Sequence, residues 1–183
     1  MEVQCPRDCV YLASAREHPP AVVVRQRQQD AGLLAHFMRD LNEAQSELFF
    51  VVSTCLQRYA PVNLQSLIDD DVAAASAALA ATAETASRGV IFEHQPASPS
   101  ASRLAMILKP VLVEAGKGGG GAFERDAAVV LRRIEEAARD VRRLEPANRR
   151  AFIDLLDRVT GTLDDRLADQ VKAEPDPPRL IIP

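Results

Sequence analysis

The stretch AFERDAAVVLRRIEEAARDVRRL, residues 122 to 144, decides the fold because its apolar residues recur at helical spacing. They follow one another at intervals of four and three residues: Phe123, Ala127, Val130, Ile134, Ala137, Val141 and Leu144. At about 3.6 residues per turn these side chains share one side of a helix, and the charged residues between them fall on the other. The stretch predicts an amphipathic helix over 122–145, whose apolar stripe other helices must cover.

Outward from this stretch, further segments have the apolar spacing of helices. They span 25–59, 64–87, 102–115 and 148–173. The first is predicted as one long helix with a near-heptad, coiled-coil-like stripe that includes Val51 and Cys55, and the third is predicted to point Ile107 inward. We therefore predict an all-α fold: a helical bundle of about five helices with a short N-terminal helix packed over one end.

Capping and breaking residues predict where these helices begin and end. Asn63 is expected to cap the helix over 64–87, and Ser102 the one that follows. The three aspartates at 69–71 are predicted to lie on a solvated side. A single helix over 25–59 is longer than a small core needs, so either Gly32 breaks it or it packs against a second chain, and we expect a homodimer.

Changes in composition divide the chain into three parts. We predict an N-terminal cysteine-containing segment over 1–24, a helical bundle domain over 25–173 and a proline-rich tail over 174–183. The run GKGGGG at 116–121 is predicted to be a flexible linker inside the bundle domain.

Composition excludes several classes of function. The chain has 183 residues, 47% of them hydrophobic and 26% charged, and its net charge of −4 gives no reason to expect nucleic acid or membrane as a partner. No run reaches the ~18 apolar residues of a membrane span, and the opening residues lack a signal-peptide pattern. We expect a cytoplasmic protein with reduced cysteines, and the abundance of Ala and Arg indicates a bacterial source.

The N-terminal sequence CPRDC contains the strongest candidate for a metal site. Cys5 and Cys9 are four residues apart, so on a helix both thiols lie on one face with Cβ atoms ~6 Å apart, close enough to share a zinc ion. His18 lies about half a turn round from Cys9 on an unbroken helix, and joins the site only if that helix frays. His94 is the better third ligand because it lies on a predicted loop.

Together these residues form a Cys₂His₂ set, which is the ligand count of a structural zinc site. The spacing departs from that of zinc fingers. The alternative is ordinary packing, in which Cys9 lies on the buried face of a short helix and the histidines form ordinary hydrogen bonds. Redox chemistry at Cys5 is a further alternative, although the C-x₃-C spacing lacks thioredoxin geometry.

Two other segments are candidate surfaces for a protein partner. Four arginines surround the turn at Pro146: Arg142, Arg143, Arg149 and Arg150. The tail ends in the apolar residues Leu180, Ile181 and Ile182. Interleaved carboxylates largely neutralise the arginine cluster, and a solvated, ion-paired face is the preferred interpretation of the two last helices.

The sequence contains no nucleophile–base pair, carboxylate pair or cofactor loop that can be assembled into an active site. We therefore expect a non-enzymatic bacterial helical interaction or regulatory protein with a structural zinc site at its N-terminus. Two alternatives stay open. One is a metal-dependent enzyme with zinc on Cys5, Cys9 and His94 and with Glu93 or Glu17 as base, and the other is a metal-free structural homo-oligomer.

Overall fold

The computed structural model describes residues 20–59, 66–117 and 119–159. Five helices lie in these ranges: α1 (Ala21–Met38), α2 (Glu43–Arg58), α3 (Asp69–Ala86), α4 (Pro99–Ala115) and α5 (Gly120–Leu144). A further helical segment covers 151–159, and these ranges contain no strand. The predicted all-α fold is confirmed. The predicted N-terminal helix and the proline-rich tail lie outside the described residues.

The chain divides into two compact units. Among the described residues, the first unit holds 20–34 and 158–159, and the second holds 35–157. The first unit contains a buried carboxylate, Asp30, which accepts hydrogen bonds from Arg158 at 2.8 and 3.2 Å and from Gln26 at 2.9 Å. Burial alone would raise the pKa of Asp30, but these bonds outweigh it and the pKa is lowered.

In the second unit, α3 and α5 form the central pair, with α4 against α3 and α2 against α5. Alanines make the close approach of the central pair possible, because their side chains add little width to either helix. The buried alanines are Ala73, Ala75, Ala78 and Ala80 on α3 and Ala127, Ala128, Ala137 and Ala138 on α5. Larger side chains fill the core around them: Phe49, Leu56, Leu104, Leu108, Leu131, Ile134, Phe152 and Leu155.

The predicted long helix over 25–59 is wrong, and so is the suggestion that it breaks at Gly32. Helix α1 ends at Met38 and α2 begins at Glu43. Asn42 caps α2 by accepting a hydrogen bond from the Gln45 backbone, while the Gln45 side chain accepts one from the Asn42 backbone. This capping box starts a new helix although the apolar spacing continues across the break.

The predicted starts of the two following helices also need correction. Helix α3 begins at Asp69, after the non-helical residues 66–68, and not at 64. Helix α4 is capped by Ser98, which accepts a hydrogen bond from the Ala101 backbone, and Pro99 occupies its first turn, so Ser102 is not the cap. Helix α4 ends at Ala115 and α5 begins at Gly120, so the last two glycines of the run predicted as a linker, Gly120 and Gly121, belong to α5.

Candidate functional site

His94 is the predicted metal ligand that lies within the described residues. It follows α3 on a non-helical segment, where its backbone N–H donates to the Thr82 hydroxyl at 2.9 Å and its ring meets Phe92 edge to face. Its Nε2 atom is buried without a hydrogen-bond partner in the described part of the chain. A buried nitrogen in this state can accept a hydrogen bond or ligate a metal.

The other predicted ligands, Cys5, Cys9 and His18, lie outside the described residues. Within 20–59, 66–117 and 119–159, no group of three His, Cys, Asp or Glu side chains is arranged to hold a metal ion. The structure therefore places His94 but does not test the predicted set.

The arginine cluster near Pro146 is largely engaged in local contacts. Arg142 donates to the carbonyls of Glu145 and Pro146 at the end of α5. Arg143 pairs with Asp140 at 3.0 Å.

Arg150 contacts two other segments of the same chain. Its guanidinium donates to the Leu67 carbonyl at 2.9 Å and lies 3.5 Å from the Asp154 carboxylate. Arg149 is exposed, and its carbonyl accepts from the Asp69 backbone. Arg142, Arg143 and Arg150 thus contact carbonyls and carboxylates at nearby helix ends and segments.

An apolar groove lies between the end of α2 and the middle of α4. Its lining comes from both helices: Thr54, Cys55, Arg58, Tyr59, Arg103, Met106 and Ile107. The groove has a volume of about 590 Å³. Met106 is 72% exposed and Ile107 is 51% exposed, so two large apolar side chains face solvent here. We call this surface the α2/α4 groove.

The apolar surface extends along α2 beyond the groove. Phe50 is 46% exposed and Val51 is 43% exposed. They lie one helical turn before Thr54 and Cys55 and so continue the same face. Contiguous apolar surface of this kind marks interaction sites, whereas single exposed apolar residues are ordinary.

Two arginines border the α2/α4 groove. Arg58 ends α2 and Arg103 lies near the start of α4, and both are exposed. Neither forms an ion pair within the described residues, although Arg103 donates to the Ser100 hydroxyl at 3.3 Å. The groove thus combines an apolar floor with a positively charged border.

Three residues of this surface were predicted to be core. Val51 and Ile107 are exposed, and Cys55 is half-buried in the wall of the groove. The apolar spacing identified their faces correctly as apolar, but the stripes of α2 and α4 are wider than the surface their neighbours cover. The sequence contained one signal for this exposed surface: apolar stripes wider than one neighbouring helix can cover.

The central pair, α3 and α5, carries an ion-pair network. Arg132 of α5 donates to Glu84 of α3 at 2.8 and 3.1 Å and to Glu135 at 2.9 Å, and Arg139 lies 2.6 Å from Glu135. These bonds lower the pKa of Glu84 and raise that of Arg132. Opposite charges satisfy one another here, so this network holds α3 to α5.

Comparison of the chain with protein-family models, with curated proteins and with solved structures gives no significant match. Within the part of the chain that the structure describes, no helix has both the length and the apolar character needed to cross a bilayer.

Proposed function

We propose that this chain is a non-enzymatic interaction protein that binds an apolar, acidic segment of a partner protein in the α2/α4 groove. The observation that carries the proposal is the exposure of four large apolar side chains on the two helices that border the groove. They are Met106 and Ile107 on α4 and Phe50 and Val51 on α2.

The shape of the surface favours a helical occupant. Two helices border a groove of about 590 Å³, and an amphipathic helix binds such a groove by inserting side chains spaced three and four residues apart. Met106 suits this role because the methionine side chain is flexible and polarisable and adapts to differently shaped partners. Tyr59 contributes an amphipathic ring, a residue type enriched at interfaces.

Charge selects among apolar partners. Arg58 and Arg103 stand at the border with no carboxylate paired to them in the described residues. A partner segment with Asp or Glu beside its apolar positions would pair with both, and a basic segment would be repelled. The occupant we infer is therefore an acidic amphipathic helix of another protein.

Selection from a displayed library of helix-forming peptides tests the proposal. On the wild type, we expect enriched peptides to carry apolar residues at helical spacing flanked by Asp or Glu. On the Arg58→Glu/Arg103→Glu variant, the flanking residues should change to Lys or Arg. The Met106→Glu variant should retain few of the peptides selected on the wild type.

The matched control reverses two arginines elsewhere, Arg88→Glu/Arg125→Glu, on the face between α3 and α5. It should enrich the same acidic peptides as the wild type. Equal enrichment of acidic peptides on the groove variant and on this control would contradict the proposal.

A second candidate function is a structural zinc site formed by Cys5, Cys9 and His94, with His18 as the fourth predicted ligand. One observation favours it: the buried Nε2 atom of His94 has no partner within the described residues. The metal-dependent enzyme and the metal-free homo-oligomer stay as alternatives.

Metal content tests the zinc proposal. Protein from zinc-supplemented cells, purified without chelator, should contain about one zinc per chain. The Cys5→Ser variant should lose less than one equivalent of zinc, and the Cys5→Ser/Cys9→Ser variant should lose all of its zinc. His36→Ala changes a histidine outside the predicted set and should keep the metal. Metal-free wild-type protein would overturn the zinc proposal and leave the groove proposal standing.

A further inference from the structure

A second cavity lies among α3, α4 and α5, away from the α2/α4 groove. Its walls are apolar, with Leu79 and Ala83 from α3, Leu112 and Val113 from α4 and Phe123 from α5. Its volume is about 360 Å³, within the range of small-molecule sites. Small side chains on α3 leave this space open next to the central pair.

The polar groups of the cavity carry a net negative charge. Glu93 and Lys109 form an ion pair at 2.7 Å with both side chains about half exposed, so these two charges satisfy each other. This pair holds the pKa of Glu93 below its usual value. The remaining charged side chain is Glu124.

Glu124 belongs to the wall of this space and carries an unsatisfied carboxylate oxygen. Its Oε2 atom is buried and has no hydrogen-bond partner within the described residues. A buried acceptor without a partner is unfavourable, and a ligand that donates a hydrogen bond or carries positive charge relieves the deficit. Thr82 is the uncharged polar side chain of the wall, and it already donates to the Ala78 carbonyl and accepts from the His94 backbone.

Phe123 adds an aromatic ring to the wall of the cavity. A Cβ atom built on Gly116 would lie 2.6 Å from Cδ1 of this ring, so the ring rests directly on the glycine backbone. An aromatic face beside a carboxylate is a favourable environment for an organic ammonium group, which the ring quadrupole and the carboxylate both attract.

The geometry points to a binding site for a small apolar organic cation, with its ammonium group at Glu124 and its hydrocarbon part among Leu79, Leu112 and Phe123. This site is independent of the proposed groove. It also differs from the predicted metal site, since the ligand it suits is an amine with an apolar body.

Calorimetric titration with phenethylamine, a cation at neutral pH, and with phenethyl alcohol, its neutral counterpart, tests the inference. We expect the wild type to bind the amine about tenfold or more tightly than the alcohol. Glu124→Gln should remove this preference. The control Glu136→Gln removes the same charge from an exposed position of α5, and this variant should still prefer the amine.

Ala83→Leu provides an independent measurement if Glu124→Gln does not fold. Its larger side chain fills the cavity and should abolish binding of both compounds. The inference is overturned if the wild type binds neither compound at millimolar concentration, if it binds both equally, or if Glu124→Gln or Ala83→Leu binds the amine as the wild type does.

Discussion

At the scale of single residues, Asp69 is the side chain whose environment differs most from expectation. It was predicted to be solvated, yet it is 1% exposed. Its carboxylate accepts from the backbone N–H groups of Phe152 and Ile153 at 3.0 and 3.4 Å, and its own N–H donates to the Arg149 carbonyl at 2.9 Å. The first residue of α3 thus caps the helical segment 151–159.

Asp69→Ala tests this link. Removing the carboxyl leaves two buried N–H groups at a helix start without their acceptor, so we expect the free energy of unfolding at pH 5 to fall by about 2 kcal/mol. Urea denaturation gives the value. The neighbouring Asp70→Ala, at an exposed position, should change stability by less than about 0.5 kcal/mol. If both variants lost the same free energy of unfolding, the hydrogen bonds of Asp69 would add nothing to the stability of the fold.

The pH dependence of stability gives a second test at Asp69. Burial raises its pKa from 3.8 to about 6, against the opposing effect of the Phe152 and Ile153 hydrogen bonds. The folded chain therefore holds the proton more tightly than the unfolded chain. The stabilising contribution is complete below about pH 3, under the unfolded value of 3.8, and is lost as the pH rises through about 6.

Asp69→Asn cannot titrate at this position and serves as the reference. The free energy of unfolding of the wild type, relative to this variant, should fall by about 2 kcal/mol between pH 4 and pH 7. Denaturation at a series of pH values measures the difference. A difference that stays constant, or one that grows with pH, would contradict the raised pKa.

No pattern in the sequence distinguished Asp69 from its neighbours. An aspartate at the start of a helix is normally solvated and interacts with the helix dipole, which is how all three aspartates at 69–71 were interpreted. Burial of Asp69 depends on Phe152 and Ile153, about eighty residues away in the chain, and such a long-range contact leaves no mark in local spacing. His94 could be recognised as a candidate ligand, but not the state of its Nε2 atom.

At the scale of elements, local chemistry explains where α1 ends and α2 begins. The capping box of Asn42 and Gln45 satisfies backbone donors at the start of α2. Gln45 also donates to Asp126 of α5 at 2.7 Å, so the same residue helps attach α2 to the central pair.

Asn42→Ala tests the importance of this cap. Loss of the side-chain acceptor should lower the free energy of unfolding by about 1 kcal/mol. Gln28→Ala changes an exposed polar residue of α1 and should leave stability nearly unchanged. Thermal and urea denaturation followed by circular dichroism measure both. If Asn42→Ala matches this control, the capping box does not set the boundary.

Regular helical spacing of apolar residues predicted well where helices occur. It predicted less well where those helices begin and end. The stretch over 122–145 was placed within two residues of α5, because its stripe is regular and glycines precede it. The break at Asn42 was missed because apolar residues continue at helical spacing on both sides of it. The groove was missed because a stripe shows which face is apolar, whereas the packing of α2 and α4 determines how much of it is covered.

At the scale of the whole molecule, the predicted homodimer rested on a single long helix over 25–59. The structure replaces that helix by α1 and α2, so the length argument no longer supports a dimer. The dimer itself stays a prediction.

Light scattering tests the oligomeric state. A homodimer should scatter at twice the chain mass of 19.9 kDa. Met106→Glu distinguishes the surface responsible, since a dimer formed through the α2/α4 groove should dissociate in this variant and one formed elsewhere should not. A wild-type particle of 19.9 kDa would refute the homodimer.

The most direct test of the groove proposal exchanges charges between protein and peptide. Fluorescence anisotropy would measure binding of an acidic peptide selected on the wild type, and of the same peptide with Lys in place of its acidic residues. The wild type should prefer the acidic peptide, and Arg58→Glu/Arg103→Glu should prefer the Lys peptide, each by about tenfold. The same preference in both proteins would contradict the account, because Arg58 and Arg103 would then not face the bound segment.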